Sequence, residues 1–191
     1  MKQTLLSLTV LLLAQGAAFI PTAVSAADDP LPVFIFAGGS NMSGGRSKLE
    51  DLPKELKGEQ ANALVFDGTQ WLQVSPEKVN KRGFGSEVSF AASMSQKLKR
   101  QIGIIKHSSH GTSLDTVWSP ATPDSLYWEL IRKVEAARKV RPIQIIGLIM
   151  VQGSGDSKDP KKAEVYAANL QAFIQAARKD LQTPNLLFAD K

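Results

Sequence analysis

The feature that most constrains the fold of this chain is the alternation of short apolar runs with longer amphipathic runs. The apolar runs are residues 32–37, 102–105, 143–151 and 185–189. Such continuous runs are typical of strands buried on both faces of a parallel sheet. The segments with apolar side chains at helical spacing are residues 85–100, 124–139 and 160–181. Strands that alternate with helices predict an α/β fold in which helices cover both faces of a parallel sheet.

Two local features extend this prediction. Asp67 and Gly68 stand in a turn between apolar runs at residues 63–66 and 71–74, which indicates a β-hairpin. No helix follows the last predicted strand, so one face of the sheet would be left bare there. We therefore expect the last strand and helix of the domain to be missing from this sequence, which is then a fragment or a shortened form.

Residues 1–26 have the composition of a signal peptide. Lys2 gives a positive start, an apolar run extends from residue 5 to residue 20, and residues 24–26 resemble the small residues that a signal peptidase recognises. We expect cleavage after Ala26, which leaves residues 27–191 as one domain of a secreted or periplasmic protein. The alternative is an uncleaved anchor, but the run is short for a membrane span and Pro21 interrupts it. We expect no stable membrane insertion after cleavage.

The composition of the chain excludes several classes of protein and several kinds of site. The sequence has no cysteine, which excludes disulfides, thiolate metal sites and a cysteine nucleophile. The net charge of +5 comes from basic residues scattered among acidic ones, so we do not expect nucleic-acid binding. The two histidines have no metal-ligand spacing with acidic residues, and the first glycine-rich turn lacks the phosphate-binding spacings. We therefore expect neither a metal nor a cofactor.

Three of the predicted strands end in loops rich in glycine, serine and other polar residues. These loops are residues 38–45, 107–113 and 152–157. In an open parallel sheet, ligands bind beyond the carboxyl ends of the strands. The three loops are therefore expected to meet around one ligand-binding cleft.

Ser40 is the candidate nucleophile in the first loop. It follows two glycines, which allow the backbone to turn sharply and to approach a substrate closely. If a helix begins near Asn41, backbone N–H groups beside the Ser40 hydroxyl would stabilise the oxyanion formed during attack on an ester. The alternative interpretation is that Ser40 only caps this helix.

The other two loops contain groups that could assist such a nucleophile. The backbone N–H of Gly111 and the side-chain amide of Gln152 are candidate oxyanion donors. His110 is a candidate general base, because a serine hydrolase needs a base within hydrogen-bond reach of its hydroxyl. The alternatives are an ordinary turn residue at Gln152 and a partly exposed loop histidine at His110.

Four segments of the chain, in order, match the pattern of one family. They are FIFAGGSNMSG at 34–44, GFGSEVSFA at 83–91, IIK at 104–106 with GTSL at 111–114, and QGSGD at 152–156. Together they resemble the sialate O-acetylesterase (SASA) domain, a branch of the SGNH hydrolases that includes acetyl xylan esterases. The resemblance implies a three-layer α/β/α, flavodoxin-like parallel sheet, and it implies no metal or cofactor.

The resemblance also implies roles for individual residues. Ser40 is the nucleophile, and the Ser40 N–H, the Gly111 loop and Gln152 form the oxyanion hole. Asn41 and Thr112 stand in the two most specific motifs and are expected to lie at the substrate, an acetylated carbohydrate. The acetyl group is transferred to Ser40 and then released by water.

The chain departs from the family pattern in several places. Gly39 stands where the family usually has Gln, His110 where it has Gly, and Ser154 where it has Glu. The Asp-x-x-His block that supplies the base and its orienting acid does not occur in the sequence. We therefore expect an exported carbohydrate O-acetylesterase or a truncated copy of one. The alternatives are a catalytically incomplete carbohydrate-binding pseudoenzyme and a lipase-like esterase of the same superfamily.

Overall fold

The structure, a computed structural model, describes residues 29–79 and 83–191. The strands are β1 (Leu31–Gly38), β2 (Gln60–Phe66), β3 (Trp71–Val74), β4 (Ile102–Ser108), β5 (Ile143–Val151) and β6 (Leu187–Asp190). The helices are α1 (Ser40–Ser43), α2 (Pro76–Val79), α3 (Glu87–Leu98), α4 (Leu126–Val140) and α5 (Pro160–Asp180). Short 3-10 turns occur at Leu49–Asp51, Lys54–Leu56 and Asp156–Lys158. The predicted signal peptide lies outside the described residues.

The strands form one six-stranded sheet in the order β3-β2-β4-β1-β5-β6. β1 pairs in parallel with β4 on one side and with β5 on the other. β2 extends the sheet in parallel beyond β4, and β6 extends it beyond β5. β3 pairs antiparallel with β2, as the hairpin prediction requires. The carboxyl ends of β4, β1 and β5 therefore lie side by side, at the place where ligands bind in such sheets.

Apolar cores lie on both faces of the sheet. On one face, Ile35 packs with Tyr127 of α4 and Phe173 of α5. On the other face, Phe36 packs with Val88 of α3. Neighbouring residues of β1 enter different cores because successive side chains of a strand point to opposite faces. This arrangement confirms the predicted α/β sheet covered by helices on both faces.

The loop after β4 begins two residues later than the sequence predicts. His107 and Ser108 belong to β4, because they continue its parallel pairing with Ala37 and Gly38 of β1. Their polarity suggested a loop, but at the end of a strand a polar side chain can lie beside other polar groups without leaving the sheet. The loop after β4 therefore starts at Ser109.

The predicted apolar stripe of α5 is buried only toward the end of the helix. Phe173 and Ala177 are buried, whereas Ala163 is exposed. Ala163 and Tyr166 line a cavity of about 350 Å3 beside Asp190, at the end of β6. The first turns of α5 thus border a cavity, whereas Tyr166 and Leu170 also pack against the core. Among the described helices, none combines the length and apolarity needed to cross a bilayer.

Candidate active site

The site is built around the carboxyl end of β1. Gly38 has a φ of 143°, and a Cβ on it would lie 2.2 Å from the carbonyl oxygen of Val151 in β5. Only glycine fits at this distance and in this conformation. The N–H of Gly39 then donates to the same oxygen at 2.9 Å, which fixes the direction in which the chain leaves the sheet. The two glycines thereby bring Ser40 to the surface beside the end of β5.

Ser40 is the first residue of α1, a single helical turn. Ser40 and Asn41 are exposed, whereas Met42 and Ser43 are buried, so the turn presents its polar side to solvent. The residue at the N-cap position is Gly39, so the alternative interpretation of Ser40 as the cap is wrong. Among the described residues, none hydrogen-bonds to the Ser40 hydroxyl or accepts from its backbone N–H. The Ser40 side chain therefore has no structural partner in this part of the chain.

Ser40 opens into a cleft of about 690 Å3 at the carboxyl edge of the sheet. Residues from the three strand-end loops and from the segment before α3 line this cleft, among them Ser40, Asn41, Arg46, Phe84, His110 and Ser154. Arg46 is exposed and forms no ion pair with any described residue. No acidic side chain is among the described residues that line the cleft. The cleft therefore has a positive wall.

Another part of the cleft lining is the segment before α3, which packs against the loop after α1. Gly44 has a φ of 73°, and a Cβ on it would lie 2.0 Å from the carbonyl oxygen of Phe84. The hydroxyl of Ser47 donates to the Gly44 carbonyl at 2.6 Å and accepts from the Phe84 N–H at 2.7 Å. These contacts fix the position of Phe84 relative to the turn that carries Ser40.

His110 lies in the same cleft as Ser40. Its imidazole packs against Gly45, where a Cβ would be 3.0 Å from the ring carbon Cε1 and 3.4 Å from Nε2. In the described part of the chain, no carboxylate forms a hydrogen bond or an ion pair with His110. Among the described residues the ring therefore has no orienting acid of the kind that a histidine in a catalytic triad normally has.

The side chain of Gln152 connects the loop after β5 to the loop after β4. Its Nε2 donates to the backbone oxygen of Thr112 at 2.7 Å, and the Thr112 hydroxyl donates to its Oε1 at 3.3 Å. The same hydroxyl accepts from the indole N–H of Trp118 at 3.2 Å. An amide NH₂ carries two hydrogens, so Gln152 retains one for another acceptor. Its Oε1 lies 3.0 Å from the position of a Cβ on Gly39, which favours a small residue there.

A residue in the loop after β5 fixes the loop that contains Gly111. Gly111 itself is exposed with a φ of 68°, and its N–H has no acceptor among the described residues. The buried carboxylate of Asp156 accepts the Leu114 N–H with both oxygens, at 2.9 and 3.1 Å. Asp156 also begins the 3-10 turn Asp156–Lys158, and Asp159 caps α5.

The structure thus brings Ser40, Asn41 and His110 into one cleft, whereas Thr112 and Gln152 mainly tie two loops together. The sequence did not indicate Arg46 or Phe84 as site residues. Residues 46–62 have the irregular, charged composition of a surface segment, so the sequence does not distinguish Arg46 from the other charged residues there. The available signal was the pair of glycines immediately before Arg46, which indicates a close backbone approach.

The comparisons with known proteins agree on one group. Residues 30–190 match the family described as "Carbohydrate esterase, sialic acid-specific acetylesterase". A probable carbohydrate esterase of Arabidopsis thaliana is 26% identical over 82% of this chain, and the match spans 66% of that relative, just under two thirds of its length.

The crystal structure of an Arabidopsis thaliana protein superposes with a TM-score of 0.72 at 22% identity, covering 85% of this chain and 74% of that one. A carbohydrate acetylesterase of Xanthomonas citri gives a TM-score of 0.62 at 19% identity, covering 83% of this chain and 40% of that one. At these identities the structural likeness shows the fold.

Proposed function

This chain belongs to the carbohydrate esterase family of the sialic acid-specific acetylesterases, and on that premise we propose that it hydrolyses O-acetyl esters of carbohydrates with Ser40 as the nucleophile. The observation that carries the proposal is the Ser40 hydroxyl, which is exposed in the cleft and has no hydrogen-bond partner among the described residues. A serine without a structural partner at the carboxyl edge of a parallel sheet lies where substrates bind.

In the proposed reaction, Oγ of Ser40 attacks the acetyl carbonyl carbon while a base takes its proton. The bond between the carbonyl carbon and the sugar oxygen breaks, the sugar oxygen takes the proton from the base, and the acetyl group remains on Ser40. Water then attacks the acyl-enzyme and gives a proton to the same base. The bond to Oγ breaks, the base returns its proton to the Ser40 oxygen, and acetic acid leaves and ionises to acetate by giving its proton to solvent.

We propose three N–H groups as oxyanion donors, of which that of Ser40 belongs to a residue of the cleft lining. The backbone N–H groups of Ser40 and Gly111 have no acceptor among the described residues, and the Gln152 amide has one hydrogen left after its bond to Thr112. In a serine hydrolase, losing one such donor costs about 3–4 kcal/mol of transition-state stabilisation. Bonds that fix the backbone around each donor reduce the reorganisation needed during the reaction.

We assign the base to His110. It is the histidine that lines the cleft, whereas His107 lies in β4 and packs its ring against Trp118 on the face covered by α4. In the described part of the chain no carboxylate orients the His110 ring, so the proposed pair of Ser40 and His110 works as a dyad. A serine–histidine pair without its acid loses several powers of ten in rate, and the remaining donors still accelerate hydrolysis.

The positive wall of the cleft supports an acetylated sugar that carries a carboxylate. Arg46 can bind a carboxylate with two parallel N–H donors, which a neutral sugar cannot reproduce. Phe84 lines the same cleft, and we propose that its side chain provides an apolar contact for the sugar ring.

We also propose export of the chain through residues 1–26, on the strength of their signal-peptide composition.

The test is acetate release from O-acetylated sialic acid and from acetylated xylan, with p-nitrophenyl acetate as a small reference ester. We expect Ser40→Ala to lower kcat by about two powers of ten, because a pair without its acid retains only part of the rate that a complete triad supplies. The matched control is Ser89→Ala, an exposed serine on α3 outside the cleft lining, which should retain the wild-type rate. An unchanged rate in Ser40→Ala would refute the proposed nucleophile.

A carbohydrate-binding protein without turnover is the second candidate function. The observation that favours it is the absence of an orienting carboxylate at His110 among the described residues. In that case calorimetry would show an acetylated sugar binding to the wild type, and Arg46→Gln would weaken the binding, while no acetate is released. Measurable turnover that His110→Ala removes would exclude this candidate.

A further inference from the structure

A buried ion pair lies beside α1, on the sheet face opposite to α4. The ammonium of Lys106 contacts the carboxylate of Glu87 at 2.6 Å, and these side chains are only 4% and 0% exposed. Lys106 belongs to β4 and Glu87 is the first residue of α3. Moving two charges out of water is costly, and an apolar pair of similar volume is often as stable. Core stability alone therefore does not account for this pair.

Each partner of the pair also binds the backbone of one side of the cleft. Lys106 donates to the carbonyl oxygen of Ser43, the last residue of α1, at 3.4 Å. Oε1 of Glu87 accepts the N–H of Gly85 at 2.9 Å, directly after Phe84 in the cleft wall. The ion pair thus connects the turn that carries Ser40 to the segment that carries Phe84.

The carboxylate of Glu87 has little freedom to move. Its second oxygen, Oε2, is buried and has no hydrogen-bond partner among the described residues. This oxygen lies 2.6 Å from the position that a Cβ on Gly85 would occupy, so only glycine leaves room for it. The ion pair to Lys106 and the bond from Gly85 therefore determine the orientation of the carboxylate.

We propose that Glu87 and Lys106 are positioning residues that fix α1 against the Phe84 wall and thereby aim the Ser40 hydroxyl into the cleft. The proposal rests on the proposed function, because it assigns the pair to the nucleophile of the esterase. Neither side chain lines the cleft, so the pair acts through the backbone of α1 and not on the substrate.

The test replaces the pair with neutral side chains of similar shape in the full chain. Glu87→Gln with Lys106→Met keeps an acceptor for the Gly85 N–H and leaves no uncompensated charge. We expect kcat for p-nitrophenyl acetate to fall about 100-fold with KM within about twofold, because a misplacement of about 1 Å at a reacting atom costs that much. Hydrogen exchange followed by mass spectrometry should show faster exchange in the peptide that spans residues 39–47.

Lys133→Met is the matched control. Lys133 is half-buried on α4 and donates to the backbone oxygen of Lys106 at 2.9 Å from the opposite face of the sheet. This control should lower the melting temperature while kcat and the exchange of residues 39–47 stay at wild-type values. A purely structural role of the ion pair would instead make both variants lose activity in proportion to their stability.

Glu87→Gln with Lys106→Leu, which also leaves no buried charge unpaired, serves as the second variant if the first does not fold, and the same slower kcat and faster exchange are expected. A folded variant with wild-type kcat, or with wild-type exchange in residues 39–47, overturns the proposal. If the wild-type chain has no esterase activity, the proposed function fails. The hydrogen-exchange measurement then still decides whether the ion pair holds α1 in place. Unchanged exchange of residues 39–47 in the double variant would reject the positioning role of the pair.

Discussion

At the scale of single residues, Arg46 determines the charge of the cleft. Its guanidinium is exposed, has no ion-pair partner among the described residues and lies in the same cleft as Ser40. A cation without a partner loses little by moving onto a ligand, because no existing ion pair has to be broken. An anionic substituent on the sugar would therefore be recognised here.

Arg46→Gln should discriminate between acidic and neutral esters. A hydrogen bond to a charged group contributes about 1.5–3 kcal/mol, so kcat/KM for O-acetylated sialic acid should fall roughly 10- to 100-fold. The rate for p-nitrophenyl acetate, which has no carboxylate, should not change. The control is Lys48→Gln, an exposed cation outside the cleft lining that pairs with Glu50. Equal losses for both esters would contradict the role of Arg46 in recognition.

The sequence could predict those site residues that follow a strand directly. The position of Ser40 and His110 in the cleft was predictable, because glycines and polar residues at strand ends mark the carboxyl edge of a parallel sheet. Phe84 could not be found in this way, since it reaches the cleft only through tertiary contacts with Gly44 and Ser47. The Gln152 amide forms its hydrogen bond with Thr112, which lies 40 residues away in the chain. The sequence could therefore not predict which atoms of this amide remain free for a substrate.

At the scale of elements, the junction between α1 and the segment before α3 is the tightest part of the site. A Cβ on Gly44 would meet the carbonyl oxygen of Phe84, and a Cβ on Gly83 would lie 2.1 Å from the carbonyl oxygen of Gly44. Backbone packs on backbone here, which leaves no flexible side chain to move aside. The shape of the cleft therefore depends on these glycines.

Gly44→Ala compared with Gly111→Ala tests this junction. The two glycines have similar φ values of 73° and 68°, but a Cβ on Gly111 meets nothing within 4 Å. Gly111→Ala should therefore cost only the strain of the left-handed conformation, about 1–2 kcal/mol. Gly44→Ala adds overlap with the backbone and should cost more than about 3 kcal/mol. Urea denaturation measures both, and equal losses would contradict the close packing.

The bounds of helices and strands could be predicted from the sequence where burial determines the pattern of apolar residues. β5 was bounded correctly because it is apolar except for Gln144, and α4 was predicted to within two residues. β4 was predicted too short, since its last residues are polar and only their pairing with β1 shows that the strand continues. The first half of α5 has the apolar spacing of a core helix, yet Ala163 faces a cavity, which a helical pattern alone cannot reveal.

At the scale of the whole molecule, the titration of His107 links global stability to pH. The ring of His107 packs edge-on against Trp118, and its Nε2 lies 3.3 Å from a Glu129 carboxylate oxygen without forming a hydrogen bond. Burial lowers the pKa of His107 below its ordinary value of 6.5, the nearby Lys133 lowers it further, and Glu129 opposes the shift. The folded state therefore favours the neutral ring.

Stability should consequently decrease on acidification in a way that depends on His107. Below pH 6.5 the unfolded chain takes up a proton at this residue before the folded chain does, so the free energy of unfolding falls until the folded-state pKa is passed. Above pH 6.5 this contribution is fully present. Urea denaturation between about pH 7.5 and pH 5 should show a smaller decrease in His107→Gln than in the wild type. Identical pH profiles would contradict the shift.

The order of the strands illustrates the limit of prediction at this scale. Alternating strands and helices predicted a parallel sheet, and its two cores follow from strands that are apolar on both faces. The central place of β1 between β4 and β5 depends on long-range pairing, which no local pattern encodes. That placement brings the three polar loops together and creates the cleft around Ser40.

Covalent labelling tests the account most directly. The wild-type chain is incubated with a fluorophosphonate, which reacts with activated serine hydroxyls, and the modified residue is located by peptide mass spectrometry. We predict a single adduct at Ser40 that is absent in Ser40→Ala and present in Ser89→Ala. An adduct at a different residue, or no adduct on the folded wild-type chain, would contradict Ser40 as the nucleophile.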